Sequence, residues 1–402
     1  WGVGPAPPDY GDPYLRVGEI MRRREVVLVD GQRMRQVLRP EKLGNGTYFV
    51  DEGQGRIVVR PPDGKAKSKF TVEVAVRSGL LHMSACSNVV IRGLKFRHEN
   101  SVYFQPQRAA LMLTNFQNVL VESCDLSENN NKGLQISGGR AANITLSRVR
   151  CNQNGCLGFL AVGCRNLLVV DCETGFNNWR GGWAAWRRGS PGGFKIMKSR
   201  LVTVRRHRAI RNDATGGWFD EMNREVLVED SVFFGNRRGL HIEASAGPSY
   251  VRRCSIIGNR QEPVPDEWRW SFGSGLALTH AANVLVEDNT LTGNAGAGVG
   301  FFENAGALRN SAQIIHNDVN NNGSGGVVLL GQNGTALSTN QVQISQNRFT
   351  ANAGISIDLM PDWSVDGITL NDGTLLGDGT AGNVCGTVSS SANDGLDFPI
   401  ID

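Results

Sequence analysis

The sequence lacks any apolar run close to the roughly 20 residues that a membrane-spanning helix needs, which predicts a soluble chain without a membrane span. It also lacks a strong charge of either sign, since the formal net charge of the 402 residues is +4. Basic clusters such as "MRRREVV" and "VRRHRAIR" have no RNA-binding aromatic motif or zinc-finger spacing beside them. The composition therefore disfavours nucleic acid as a partner, and we expect these charges to form solvated faces.

The eight cysteines include no CxxC pair, and no cysteine–histidine group has the spacing of zinc ligands. We therefore expect no metal in the functional site and no cofactor, while the sequence leaves a structural metal open. Cys124 and Cys172 each follow the first Asn of a sequence repeat by six residues, which indicates buried thiols stacked in a core rather than a disulfide framework. The close sequence spacing of Cys151, Cys156 and Cys164 would still permit one disulfide among them, and this possibility stays open.

An internal repeat is the strongest signal in the sequence. Units such as "NVLVESCDLSENNNKGLQISG" begin at Asn118, Asn143 and Asn166, with spacings of 25 and 23 residues. Each unit consists of two short alternating apolar segments, an Asn-rich turn, a Gly and a third short segment. Helical solenoids need longer repeats, whereas short strands at this period are typical of β-solenoids. The repeat predicts an all-β fold, a right-handed parallel β-helix of roughly ten rungs.

Asparagines recur at the second turn of the units. We expect each of them to adopt a left-handed backbone conformation and to hydrogen-bond to its neighbour one rung away. The predicted column consists of Asn129, Asn152, Asn177, Asn212, Asn236, Asn294 and Asn352.

The repeat divides the chain into two regions. Residues 1–77 do not repeat and contain "VVLVDGQRMRQV" and "TVEVAV", which predict antiparallel hairpins with Asp-Gly turns. We expect this β-rich region to cap the first rung, and residues 78–402 to form the β-helix. Trp- and Arg-rich insertions interrupt the repeat near 178–193 and 260–273, and long loops usually have a function. The tail after Met360 is expected to cover the last rung.

Two carboxylates lie between these insertions, in "GGWFDEMNREVLVEDSVFFGNRRGLHIEAS". Asp220 and Glu243 are 23 residues apart, which is one rung. In "GLHIE", Leu240 and Ile242 share one face and belong in the core, so Glu243 is expected on the outer face. The same alternation in "GWFD" places Trp218 and Asp220 outward.

The expected separation of these carboxylates indicates a reaction type. Matching positions of successive rungs stack about 4.8 Å apart, which puts the two groups roughly 5 Å apart. Retaining glycosidases hold a nucleophile and an acid/base about 5–5.5 Å apart, whereas inverting enzymes need about 6.5–9.5 Å. The pattern favours a retaining glycoside hydrolase with Asp220 and Glu243 as catalytic residues and an oligosaccharide or polysaccharide of plant or microbial origin as substrate.

Further candidates for substrate binding surround the two carboxylates. Lys195, in "GGFKIM", falls in nearly the same column one rung earlier, where its charge would keep Asp220 ionised. His241 would orient a sugar hydroxyl or pair with Glu243. Aromatic rings cover the flat C–H faces of sugars, and other tryptophans of this region would pin down the inserted loops. The aromatic candidates are Trp183, Trp186, Trp218, Trp268 and Trp270.

The order "GGFK…GGWFD…GLHIEAS" resembles the β-helical retaining β-xylosidases of glycoside hydrolase family 120, over about residues 190–247. The resemblance implies that Asp220 is the nucleophile and Glu243 the acid/base. The amino-terminal "VDG…GTYFVDE…RIVVRPPDG" resembles a wider set of bacterial right-handed β-helix proteins. The end of the chain, "GISIDLMPDWSVDGITLNDG", resembles secreted bacterial β-helix proteins, which implies a secreted or periplasmic location.

Two other functions remain open. A polysaccharide lyase or uronate epimerase would abstract a proton next to a carboxylate with Lys195, His241 and arginines. No R-x-P-x-x-R run or calcium-binding nonapeptide repeat supports it, and polygalacturonase motifs are also missing. A non-catalytic carbohydrate-binding surface protein is the second, since a fold does not establish activity. The arginines that the lyase or epimerase would use are Arg180, Arg187, Arg188, Arg237 and Arg238.

The sequence favours no oligomeric state.

Overall fold

The computed structural model is a right-handed parallel β-helix, as predicted from the repeat. Three parallel sheets run along its length, with eleven, ten and seven strands among the described residues. We name them the long, middle and short sheets. The structure describes residues 19–63, 69–102, 108–181, 191–260, 271–302, 310–330 and 342–360.

The strands are numbered in chain order. The amino-terminal region has helix α1 (Glu19–Arg22), a 3-10 turn (Pro40–Lys42) and strands β1 (Val27–Val29), β2 (Gln32–Arg33), β3 (Arg35–Val37), β4 (Thr47–Asp51), β5 (Arg56–Arg60) and β6 (Val72–Val74). The long sheet contains β7 (Leu81–Ser84), β9 (Leu111–Thr114), β11 (Lys132–Ser137), β13 (Leu157–Val162), β16 (Gly192–Met197), β19 (Thr215–Asp220), β22 (Arg238–Ser245), β25 (Leu276–Ala281), β28 (Val299–Phe302), β31 (Val327–Leu330) and β34 (Ile357–Met360).

The other two sheets follow the same coils. The middle sheet contains β8 (Ser87–Arg92), β10 (Gln117–Glu122), β12 (Ala142–Ser147), β14 (Arg165–Val170), β17 (Arg200–Arg205), β20 (Arg224–Glu229), β23 (Ser249–Arg252), β26 (Val284–Glu287), β29 (Ala312–Ile315) and β32 (Val342–Ser345). The short sheet contains β15 (Glu173–Gly175), β18 (Arg208–Ile210), β21 (Val232–Phe234), β24 (Ser255–Ile257), β27 (Thr290–Thr292), β30 (Asp318–Asn320) and β33 (Arg348–Thr350).

The inward side chains of successive coils stack in columns and form one continuous core. Ile196, Phe219 and Ile242 occupy equivalent positions of β16, β19 and β22, and all three are fully buried. In a neighbouring column the rings of Phe159 and Phe194 stack with centroids 5.2 Å apart. Because alternate residues of a strand point to opposite faces, this register also fixes which residues of the long sheet face outward.

A ladder of buried asparagines lines the turn that precedes the long sheet. The backbone N–H and the side-chain amide of Asn129 both donate to Asn154 Oδ1, at 3.1 and 3.0 Å. The same pairing continues through Asn177, Asn212, Asn236, Asn259, Asn294, Asn322 and Asn352.

Two details of the predicted ladder were wrong. Asn154, not Asn152, continues the column, because the Asn152 side chain instead bonds to Glu173 and to the N–H of Gly175. The left-handed conformation falls on the residue just before each ladder asparagine, such as Gln153 with a φ of 52°. The ladder asparagines themselves do not have a positive φ.

The buried thiols predicted for Cys124 and Cys172 are confirmed, because both lie in the main core. All seven cysteines of the described residues are free thiols, so the disulfide left open among Cys151, Cys156 and Cys164 is not formed. Cys385 lies outside the described residues. Burial raises the pKa of the Cys164, Cys172 and Cys254 thiols to about 12.

The amino-terminal region docks on the side of the β-helix. Its strands β1 and β2 form an antiparallel hairpin, with Asp30 and Gly31 at the turn as predicted. The fully buried Arg180 donates to the carbonyl of Ile20 and to Asn130 Oδ1, at 3.1 and 2.7 Å. Met21 packs on Leu157 of β13, on the outer face of the long sheet.

The limits of the two regions and the capping role remain predictions. Most of the two insertions and the tail after Met360 lie outside the described residues. None of the helices among the described residues has the length and hydropathy of a membrane span.

Candidate active site

Three consecutive strands of the long sheet, β16, β19 and β22, carry the candidate site on their outer face. Lys195, Trp218 and His241 occupy equivalent positions on these strands. Phe219 pairs with Ile242, so the next residues, Asp220 and Glu243, lie on adjacent strands, which are about 4.8 Å apart. The 23-residue spacing therefore corresponds to one coil.

The predicted orientations follow from the packing. Phe219, Leu240 and Ile242 belong to the core, which leaves Trp218, Asp220, His241 and Glu243 on the outer face. The expected exposure was only partly right. The Glu243 side chain is 23% exposed, whereas Trp218 and His241 are only 3% and 1% exposed. The outer face is therefore a largely enclosed site, in which charges interact more strongly than in water.

Asp220 is held by two donors. Lys195 Nζ lies 2.6 Å from its Oδ2, and the backbone N–H of Glu221 donates to its Oδ1 at 2.7 Å. The column predicted for Lys195 was offset by two residues, because Met197 is the partner of Asp220 in the register. Lys195 therefore reaches Asp220 diagonally, and its buried ammonium compensates the negative charge of the carboxylate.

Trp218 lies between two of these residues. Lys195 Nζ is 3.4 Å from the centroid of the indole ring. The His241 ring stacks on the same indole, with centroids 5.6 Å apart and planes 23° apart. The indole Nε1–H donates to Glu243 Oε2 at 3.0 Å.

Glu243 is a carboxyl group with a strongly shifted pKa. Burial, and after it the negative charge of Asp220, raise this pKa to about 7. The charges of Arg238 and Lys195 and the hydrogen bond from Trp218 act in the opposite direction. Near neutral pH the group is thus present in both acid and carboxylate forms, which suits a residue that must give and take a proton.

Two more buried bases complete the site. Arg238 donates to Ser271 Oγ at 2.8 Å and to Thr215 Oγ1 at 2.9 Å, and burial lowers its pKa to about 9. His241 Nε2 is hydrogen-bonded to Thr279 Oγ1 at 3.1 Å, and its Nδ1 lies 3.7 Å from Glu243 Oε2. Burial lowers the pKa of His241 well below its usual value, so the imidazole is neutral.

Other predicted residues do not join this group. Arg180 anchors the amino-terminal region, and Arg237 pairs with Asp213 at 2.8 Å. Thr279 was missed, although aligning "GLALTHA" with "GLHIEAS" places it in the column of Glu243. The candidates that lie outside the described residues are Trp183, Trp186, Arg187, Arg188, Trp268 and Trp270.

The fold and sequence place the chain among the right-handed β-helix proteins. The family model described as "Right handed beta helix region" matches residues 78–264. A second model, "Periplasmic copper-binding protein (NosD)", matches residues 187–387, half of the chain, and the chain belongs to this family. Among curated proteins, nothing matches the sequence.

The described residues do not fit a bound copper ion. Copper in proteins is held by thiolate, thioether or imidazole groups. No three His, Cys, Asp or Glu side chains in the described ranges are grouped so that they could hold a metal. The thiols of Cys164, Cys172 and Cys254 lie in the core with pKa values of about 12, which opposes thiolate formation.

Several solved structures share the fold. An exopolygalacturonase from Thermotoga maritima is 11% identical over 69% of this chain and 78% of its own, with a TM-score of 0.50. The A-module of the mannuronan C-5 epimerase AlgE6 from Azotobacter vinelandii is 14% identical, over 67% and 74%, with a TM-score of 0.47. XylC, solved with xylose, is 11% identical, over 81% and 67%, with a TM-score of 0.41. These names are those of carbohydrate-active proteins, and likeness at these identities shows the fold alone.

Proposed function

We propose that the chain is a retaining glycoside hydrolase that acts on an oligosaccharide or polysaccharide. One observation carries the proposal. Two carboxyl groups lie on adjacent strands of one enclosed face in different electrostatic settings. Asp220 has an ammonium group 2.6 Å away, whereas Glu243 has a pKa of about 7. A nucleophile that must be ionised and an acid that must carry a proton need this difference.

The reaction takes two steps with these roles. Asp220 attacks the anomeric carbon while Glu243 donates its proton to the departing glycosidic oxygen, which forms a covalent glycosyl-enzyme. The Glu243 carboxylate then takes a proton from water, whose oxygen attacks the anomeric carbon and releases Asp220. Lys195 compensates the charge of the free Asp220 carboxylate before the first step and after the second, and the neutral His241 adds no charge beside Glu243.

The resemblance of "GGFK…GGWFD…GLHIEAS" to the xylosidases of family 120 supports these roles and is part of the proposal. A secreted or periplasmic location is proposed as well, and the periplasmic description of the matching family supports it. Trp183, Trp186, Trp268 and Trp270 remain candidates for further sugar contacts.

The lyase or epimerase alternative needs a base free to remove a proton. Lys195 is committed to Asp220, and His241 is buried with its Nε2 bonded to Thr279. These contacts favour hydrolysis. Digestion of a panel of oligosaccharides and polysaccharides in ¹⁸O-water separates the functions. Hydrolysis puts the label in the new reducing end, elimination gives an unlabelled unsaturated product, epimerisation changes the uronate composition of an uncleaved chain, and a binding protein leaves the substrate unchanged.

The nucleophile is tested by Asp220→Ala. We expect turnover to fall by roughly four orders of magnitude, because the covalent intermediate cannot form. Glu221→Ala is the matched control, since this neighbouring carboxylate is paired with Lys198 but is 44% exposed. An Asp220→Ala enzyme that keeps a rate near wild type would refute the assignment.

The acid/base is tested in the same assay with Glu243→Ala. This variant should still cleave aryl glycosides whose leaving group needs no proton, and added azide should raise the rate by attacking the glycosyl-enzyme. A glycosyl azide of retained configuration would be the expected product. Absence of rescue together with full activity on unactivated substrates would exclude Glu243 from this role.

A further inference from the structure

The indole ring of Trp218 does not have the free face that a sugar-stacking ring needs. Lys195, Trp218 and His241 stand at equivalent positions of three successive strands, so the indole lies between the other two side chains. Lys195 Nζ is 3.4 Å from the ring centroid on one side, and the imidazole stacks on the other. A sugar would need one of these faces. The side chain is also 3% exposed, so its ring is part of the inner structure of the site.

The polar edge of the same ring faces the proposed acid/base. The indole Nε1–H donates to Glu243 Oε2 at 3.0 Å, and an indole nitrogen can only donate. We propose that Trp218 is a positioning residue that orients Glu243 and sets the pH at which it loses its proton. This inference rests on the function proposed above, because it assigns Trp218 to the acid/base of that reaction.

The direction of the effect follows from the donor. A hydrogen bond to a carboxylate stabilises the ionised form, so Trp218 lowers the pKa that burial raises. The charged groups around Glu243 are Asp220, Lys195 and Arg238, and neutral His241 lies beside it. Removing only the N–H leaves these groups in place. The pKa of Glu243 then rises, and the protonated form persists to higher pH.

The experiment is the pH profile of kcat/KM for Trp218→Phe. Cleavage requires protonated Glu243, so activity falls on the alkaline side as pH passes through its pKa of about 7. We expect the substitution to move this alkaline limb upward by roughly 0.5 to 1 pH unit. KM should change by less than about two-fold, since the ring faces do not hold sugar. A large rise in KM with an unmoved limb would instead identify a sugar platform and overturn the inference.

Trp179→Phe is the matched control. Its indole N–H also donates, to the Gln153 carbonyl at 2.9 Å, and Arg33 and Arg180 lie over its ring. These contacts involve Gln153, Arg33 and Arg180 and none of the residues around Glu243, so loss of this N–H should leave the limb in place. A merely structural role of Trp218 predicts the same unmoved limb in Trp218→Phe, with only a lower melting temperature.

Glu243→Ala assayed on an activated aryl glycoside separates the two proposals. Loss of the alkaline limb assigns it to Glu243, and then an unmoved limb in Trp218→Phe refutes only the positioning role. A limb that persists in Glu243→Ala contradicts the proposed function itself.

If Trp218→Phe does not fold, the ¹⁵N-indole resonances of the wild type are titrated with pH. In the wild type, one indole resonance should shift with pH, with the same midpoint as the alkaline limb. In Glu243→Gln this resonance should no longer shift with pH. The absence of such a resonance overturns the inference.

Discussion

Two neighbouring lysine–carboxylate pairs differ mainly in burial. The side chains of Lys195 and Asp220 are 6% and 12% exposed, whereas those of Lys198 and Glu221 are 57% and 44% exposed. Their N–O distances are 2.6 and 2.9 Å. An exposed pair contributes little because water and salt screen it, while removing one partner of a buried pair leaves an uncompensated charge.

We predict from this difference that Lys195→Met lowers kcat by about 100-fold or more, because Asp220 loses the charge that compensates it. Lys198→Met should keep kcat within about two-fold of wild type. Steady-state kinetics of both variants on one aryl glycoside provide the comparison. Equal effects of the two substitutions would mean that Lys195 has no special relation to the reaction.

For single residues, the sequence predicted which face a side chain points to better than it predicted which side chains contact each other. The alternation in "GWFD" and "GLHIE" was sufficient to place Phe219 and Ile242 inside. The offset of Lys195 depends on where β16 and β19 align, and a spacing of 25 residues does not contain that information. The indole N–H bond to Glu243 depends on a rotamer, which an alternating pattern leaves undetermined.

At the scale of the element, glycines border the asparagine ladder where the coils enter the long sheet. A Cβ added to Gly216 would lie 2.6 Å from the carbonyl oxygen of Gly239 and 2.7 Å from Asn236 Nδ2. The carbonyl belongs to backbone of the next coil and the amide to the ladder, so neither can move independently. The close approach of two coils therefore requires glycine at this point.

Gly216→Ala should lower the free energy of unfolding by about 1–3 kcal/mol, because the added methyl group separates two coils just before the candidate site. Gly139→Ala is the control, since nothing lies within 4 Å of its added Cβ and its effect should stay within about 0.5 kcal/mol. Denaturant unfolding followed by circular dichroism measures both. Equal stability of the two variants would show that the coils can part at little cost.

The elements also mark where sequence reasoning succeeds. Repetition identified the strands because each unit repeats the same polar and apolar order. It misplaced Asn152 because two asparagines, Asn152 and Asn154, occur within three residues, and only the backbone turn decides which enters the ladder. The docking of α1 near Leu157 was not predictable in this way, since residues 1–77 have no repeat from which to extrapolate.

At the scale of the whole molecule, the core contains a histidine that has to stay neutral. His207 is fully buried, is bonded through Nε2 to Thr174 Oγ1 at 2.9 Å and is packed against Phe159 and Phe194. Burial lowers its pKa from 6.5 to about 3. The unfolded chain therefore takes up a proton below pH 6.5 that the folded chain does not accept.

The stability linked to His207 is fully present above pH 6.5 and is lost as pH falls toward 3, at about 1.4 kcal/mol per pH unit. We expect His207→Gln to weaken this pH dependence. The difference in free energy of unfolding between the variant and the wild type should therefore change with pH between 6.5 and 3. Urea unfolding at several pH values tests it, with His82→Gln on the exposed side of β7 as control. Parallel pH profiles for wild type and His207→Gln would contradict the prediction.

The buried thiols of the core also bear on how long a folded molecule persists. Inside the folded chain, the thiols of Cys164, Cys172 and Cys254 are protonated and shielded, so an oxidant finds no thiolate to attack. Complete unfolding releases them together, and crosslinks formed then would not match a core built around free thiols. In an oxidising compartment each unfolding event is thus a one-way loss, and the lifetime of the protein is set by its unfolding rate rather than by its equilibrium stability.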